Sequence, residues 1–161
     1  MPGPAVVTSG SDPIPDERAI ANLVFGLAEA IDDADLDRVE ELFGEATFTL
    51  AGREPRAGGA AFRRVIEQGM RFHDGSPRTL HVVSNLVVEV GGDRTVALSR
   101  SVVSVLQAVP PAFGLQVVMA GRYHDRFVRD PAGGWRFAER MMFVDLVGNT
   151  SFHSTTRFDP K

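Results

Sequence analysis

Residues 79–90 read TLHVVSNLVVEV, and the placement of this stretch decides the fold. β-Branched residues dominate it. Turn clusters bound it on both sides, His73-Asp74-Gly75-Ser76-Pro77 before and Gly91-Gly92-Asp93 after, so it is a strand that reverses through a hairpin. Three similar stretches follow at Thr95–Val109, Leu115–Arg129 and Trp135–Val147, separated by Pro110-Pro111 and by a turn over Asp130–Gly134. Short turns between long strands predict an antiparallel meander.

Upstream the apolar period changes from two to 3.6. Ile20, Leu23, Val24, Leu27, Ala28 and Ile31 trace one buried helical face, with Asp16 and Glu17 in the first turn, where the helix dipole favours negative charge. Asp32 closes this helix. Asp33-Ala34-Asp35 forms a turn from which Asp35 caps a second helix carrying Leu36, Val39, Leu42 and Phe43 and ending at Gly44. A short strand, Ala46–Leu50, and the polar loop AGREPRAGG lead to a third helix over about Ala60–Phe72. Three N-terminal helices followed by a curved antiparallel sheet define an α+β fold with the helices on one sheet face. The expected organisation is a loose arm at residues 1–15, one domain over 16–147, and a polar tail at 148–161 that covers a pocket or a subunit interface.

The strands are apolar on both parities. Val83 and Val87 share one face of the first, whereas Leu80, Val82, Leu86 and Val88 occupy the other, and Val102-Val103, Val105-Leu106 and Val117-Val118-Met119 repeat the effect. A sheet with one wet face alternates cleanly. The outer face is therefore expected against another copy of the chain, in a homodimer or homotrimer.

Composition narrows the function. The 161 residues bury roughly two-thirds of their unfolded surface in one domain. The 17 basic and 21 acidic residues are scattered, leaving a net charge of −4 and no basic stripe for nucleic acid. Cysteine is absent, which removes disulfides, thiolate metal sites and a cysteine nucleophile. No apolar run reaches the ~18 residues of a membrane span and no signal-peptide pattern opens the chain, so a cytoplasmic location without a membrane partner is expected. HExxH and HxH ligand spacings, a GxSxG elbow and the nucleotide-binding glycine motifs are all missing. No metal and no cofactor is expected, which favours reactions that a base and an anion stabiliser can manage alone.

Three residues stand out. His81 lies on the strand face it shares with Val83, Asn85 and Val87, whose small or β-branched side chains leave room above an imidazole; packing in the core is the other reading of a single strand histidine. Asp32 sits at the edge of the first helix's apolar stripe and at its C-terminus, where a carboxylate costs roughly 0.3–1 kcal/mol. It reads equally as a turn residue or as a partner for something beyond the turn. Arg140 is a charge inside an apolar strand, either a fixed cation for a developing anion or an outward-facing arginine. Tyr123, Asp125 and Asn85 are further polar candidates; His124 has outward parity, and His73 and His153 fall in a turn and in the tail.

The segments RAIANLVFGLAEAIDDADLDRVEELF, LHVVSN, GRYHDRF and WRFAER, in this order and spacing, resemble the SnoaL-like branch of the nuclear transport factor 2-like superfamily over about residues 16–147. The resemblance implies a cystatin-like cone, its sheet wrapped around an internal pocket. It is strongest to the scytalone dehydratase, hexachlorocyclohexane dehydrochlorinase and bile-acid dehydratase members. Those enzymes use an Asp–His dyad at the positions of Asp32 and His81, and the dehydrochlorinases an arginine with the spacing of Arg140 from Trp135. Leu27 stands where the dehydrochlorinases carry lysine, and Ile31 where scytalone dehydratase carries tyrosine. The resemblance implies a lyase acting by dehydration or β-elimination on a hydrophobic ring-containing molecule. His81 would be the base, Asp32 would orient it, and Arg140 would bind a carbonyl oxygen or leaving group. Phe25, Phe48, Phe62, Asn85, Tyr123, Met141 and Phe143 are the expected substrate-binding residues. An isomerase or polyketide cyclase using the same base, and a non-catalytic binding or assembly domain, are the alternatives.

Overall fold

The computed structural model describes residues 14–156; most of the expected N-terminal arm and the last residues of the tail, with Phe158, lie outside that span. Helix α1 (Asp16–Asp32) buries Ile20, Val24, Leu27, Ala28 and Ile31, the periodic face seen in the sequence. Helix α2 (Leu36–Phe43) is capped by Asp35, whose carboxylate accepts from the Arg38 backbone N–H at 3.1 Å, and it ends at Gly44 with φ +56°. Strands β1 (Thr47–Leu50) and β2 (Arg56–Ala57) precede helix α3 (Gly59–Gly69). Strands β3 (Thr79–Val90), β4 (Val96–Val109), β5 (Phe113–Arg129) and β6 (Trp135–Val147) follow.

These strands form a single six-stranded sheet in the order β2-β1-β6-β5-β4-β3. Every pairing is antiparallel except β1 with β6, where Phe48 lies beside Arg140. The parallel pairing carries the chain's early part to the far edge of the meander and curls the sheet around the helices. One buried cluster joins Ile20, Val24, Val39, Phe43, Phe62, Phe127 and Phe137 between helices and sheet. A second gathers Val103, Val105, Phe113, Val118, Tyr123 and Val144 towards the other end. Each such apolar side chain contributes about 1.5–3 kcal/mol by leaving water. Leu50, Val83 and Met142 touch both clusters.

Two local features differ from the sequence reading. Helix α3 stops at Gly69 rather than near Phe72, because the tail captures the next backbone groups. Thr155 N–H donates to the Gly69 carbonyl at 2.9 Å, Arg71 N–H donates to the His153 carbonyl at 2.8 Å, and Met70 bridges Ser154. In β3 a bulge between Ser84 and Val87 centres on Asn85, whose φ is +52°. Asparagine tolerates this left-handed conformation better than most residues. The extra residue flips the pleat, so His81 and Val83 face the helices but Asn85 and Val87 do not. Val88 and Val90 take the inward positions instead.

Helix α1 is fastened at both ends. Buried Asp16 pairs with Arg94 at 2.7 Å and Arg129 at 2.8 Å, next to the turns that close the β3–β4 and β5–β6 hairpins. The opposite end delivers Asp32 to β3.

Candidate active site

The Asp32 carboxylate accepts three hydrogen bonds from β3. Thr79 Oγ1 donates to Oδ1 at 2.7 Å, the His81 ring Nδ1 to Oδ1 at 2.6 Å, and the His81 backbone N–H to Oδ2 at 2.6 Å. These donors offset the unfavourable placement of a carboxylate at a helix C-terminus. Burial pushes the Asp32 carboxyl up. The His81 ring and backbone and the Thr79 hydroxyl outweigh it and hold the group below the usual carboxylate range. An ionised carboxylate can only accept, so the bonded Nδ1 carries a proton, and in the neutral ring the lone pair is left on Nε2. The two side chains are only 8% and 11% exposed, and among the described residues Nε2 has no hydrogen-bond partner.

His81 opens onto a cavity of about 180 Å³ between the two apolar clusters. Ile31, Phe48, Phe62, Ile66, Met119 and Met142 give it apolar walls. Its polar lining is His81, Tyr123, Arg140, His153 and Thr156. His153 and Thr156 belong to the tail, which folds back across the end of α3. An apolar enclosure with a few converging polar groups is the usual form of a small-molecule site.

Arg140 is buried opposite its cross-strand partner Asp125, giving Nε to Oδ1 and Nη2 to Oδ2, each at 2.8 Å. Its guanidinium also lies 4.0 Å from the centre of the Tyr123 ring. Burial pulls the Arg140 pKa down, but the Asp125 charge and hydrogen bonds outweigh it and hold the cation above its usual range. Arg140 thus reaches the cavity as half of a neutralised pair. Burial raises the Tyr123 hydroxyl, which stays protonated and available as a donor.

Of the substrate-binding residues expected from sequence, Phe48, Phe62 and Tyr123 line this cavity. Four others lie elsewhere. Phe25 is 44% exposed and lines a separate groove between α1 and β3 that Asp32, Leu80 and His81 also line, and Asn85 is the bulge residue. Met141 is 40% exposed on the outer sheet face. Phe143 is on that face too, packed against His124 and under Arg122. Strand alternation explains the last two: with Arg140, Met142 and Val144 turned inward, Met141 and Phe143 must point out. Thr79 and His153 were missed. Thr79 shares the parity of His81 two residues away and could have been found. Nothing near His153 in sequence marks it. Among the described residues no group of three His, Asp or Glu side chains is arranged to hold a metal ion.

Helices that close a curved, mostly antiparallel sheet around an internal cavity define the α+β cone class. The chain belongs to the SnoaL-like domain family, whose model matches residues 12–141, within the nuclear transport factor 2-like superfamily. No curated sequence matches it significantly. Among solved structures it is similar to a candidate aromatic ring hydroxylase from Novosphingobium aromaticivorans, at 26% identity and TM-score 0.67, covering 88% of this chain and 99% of that one. A candidate scytalone dehydratase from the same organism shares 23% identity, TM-score 0.64, over 81% and 85% of the two chains. The hexachlorocyclohexane dehydrochlorinase LinA-type3 from Novosphingobium barchaimii shares 17% identity, TM-score 0.65, over 89% and 94%. Likeness at these identities speaks to the shared fold.

Proposed function

We propose that the protein is a cofactor-independent lyase that eliminates a leaving group from a small hydrophobic ring compound, with His81 as base. The relatives' names span dehydration, dehydrochlorination and ring hydroxylation, so names do not choose among them. The observation that carries the proposal is the Asp32–His81 contact beside an open cavity, with the Nε2 lone pair unengaged. His81 Nε2 takes a proton from carbon, and the C–H electron pair becomes the second bond of an alkene. The leaving group departs from the neighbouring carbon with its own bonding pair. When that group is hydroxyl, the imidazolium returns the proton to it and water is released. Asp32 stabilises the imidazolium and fixes the ring.

Cavity volume limits the substrate. An apolar cavity of about 150 Å³ accommodates benzene, so about 180 Å³ takes one substituted ring rather than a fused polycycle. The same base with no leaving group would make the protein an isomerase. A screen of single-ring β-hydroxy carbonyl compounds, read by mass, tests the proposal: elimination removes the mass of water and isomerisation changes no mass. His81→Ala and Asp32→Asn should each lower turnover by on the order of a hundredfold or more. Near-normal rates in both, with the fold intact, would refute the dyad.

Self-association is the second part of the proposal. Leu80, Leu106 and Val117 are cross-strand neighbours that form a row across the outer face of β3, β4 and β5. Leu80 is 58% exposed and Val117 52%, and Leu115 and Leu146 are exposed too. A second copy of the chain would cover this row.

A further inference from the structure

The tail brings a second imidazole to the cavity. Its backbone is fastened around that ring. The Arg71 N–H donates to the His153 carbonyl, Arg71 Nε donates to the Ser154 carbonyl at 3.0 Å, and Gln107 Nε2 donates to the Phe152 carbonyl at 3.0 Å. Phe152 packs on Phe113 with ring centres 4.9 Å apart. His153 is only 4% exposed, yet its side chain makes no hydrogen bond among the described residues and its buried Nδ1 is unpartnered. A buried polar group without a partner is uncommon and asks for a ligand or a reason. The ring lies on the wall of the cavity that His81 also lines, and since Nδ1 is enclosed it is the Nε2 side that can meet a ligand there.

We propose that His153 donates a hydrogen bond to an oxygen of the ring compound held in this cavity, on the atom that gains negative charge as His81 removes the proton. The proposal rests on the lyase reading of the site. The titratable and charged groups around His153 are His81 from β3, Asp32 from α1, Tyr123 from β5, Arg140 from β6, bound to Asp125, and Arg71 after α3, bound to the Ser154 carbonyl. Burial, and secondarily the charge of His81, lower the His153 pKa to about 4, with Asp32 opposing. The ring is therefore neutral near neutral pH and offers one N–H. It gives a hydrogen bond without giving up the proton, so the elimination balances as before. A neutral imidazole polarising a carbonyl is an established catalytic role. Asp125 takes the Nε and Nη2 donors of Arg140, so among the described residues the cavity donors without protein partners are Arg140 Nη1, Tyr123 and His153.

The test uses the full-length protein and para-nitrophenol, a single ring whose oxygen reports its charge by absorbance. Binding should move the ring ¹⁵N resonances of His153 and leave those of exposed His124 in place. His153→Ala and His153→Phe, checked for folding by thermal melting, should weaken binding about tenfold, the effect of one lost hydrogen bond. His153→Asn, which keeps a donor, should recover most of the affinity. Unchanged affinity in the alanine variant would overturn the proposal. So would unmoved His153 resonances while the Met142 methyl shifts, or no binding to the wild type at millimolar phenol. Failure of the lyase reading looks different: His81→Ala would stay active while the His153 shift persisted.

Discussion

Asp32 and His81 are joined twice, Oδ1 to the ring Nδ1 and Oδ2 to the backbone N–H, both at 2.6 Å. The two bonds fix different things. The backbone bond ties the end of α1 to β3, and the ring bond sets the imidazole's rotation and tautomer. Since α1 is held at its other end by the Asp16 ion pairs, the imidazole is positioned by a helix clamped at both termini.

Thr79 supports Asp32 without touching the cavity. Thr79→Val removes one of three donors to the carboxylate and should cost about 1 kcal/mol in urea unfolding. It should also raise the Asp32 carboxyl towards its ordinary range. Asp32→Asn should cost more in turnover, on the order of 10²–10⁴-fold, because an amide no longer enforces the tautomer. Equal kinetic losses in the two variants would contradict this ranking.

Arg140 and Asp125 should be energetically inseparable. Arg140→Met leaves a buried carboxylate uncompensated and should destabilise by roughly 3–5 kcal/mol, whereas Arg140→Met with Asp125→Leu should recover much of the loss. Denaturant unfolding of the single and double variants gives the coupling. An Arg140→Met protein as stable as wild type would show that the cation is not bound as described.

The acid side of the stability profile should carry the signature of His153. Its folded pKa, about 4, lies below the ordinary histidine value, so the unfolded chain binds the proton more readily. The stabilisation is complete above pH ~6.5 and is lost as pH falls towards 4, by up to about 3 kcal/mol. His153→Asn should flatten the profile in that window. A wild-type profile that superimposes on the variant's between pH 4 and 6.5 would count against a neutral, buried ring.

Charges on the outer apolar row should break self-association. Leu115→Glu with Val117→Glu should leave the protein monomeric by light scattering, while His81 and the cavity, on the other sheet face, keep their environment. A wild-type monomer at micromolar concentration would remove the need for a partner there.

The long strands and the three helices were legible because period-2 and period-3.6 patterns are strong over such lengths. The bulge at Asn85 was not: one left-handed residue in an apolar strand leaves little trace, yet it turned Val87 from the pocket side to the outside. Met141 and Phe143 were placed in the pocket against plain alternation with Arg140, so the information was present and unused. The Arg140–Asp125 pair needed the β5–β6 register, which two irregularities in β6, at Ala138 and Asp145, shift. His153 needed the tail's path across α3, a long-range arrangement fixed by backbone bonds to Gly69 and Arg71 and by the Gln107 side chain, which no local pattern announces.

The most direct test of the site is the tautomer of His81, read from the ¹⁵N shifts and one-bond couplings of its ring nitrogens near neutral pH. The geometry requires a protonated, hydrogen-bonded Nδ1, and the proposed role as base an unprotonated Nε2, with the preference lost in Asp32→Asn. A proton resident on Nε2 with Nδ1 bare would contradict the account, because the cavity would then face a donor where a base is required.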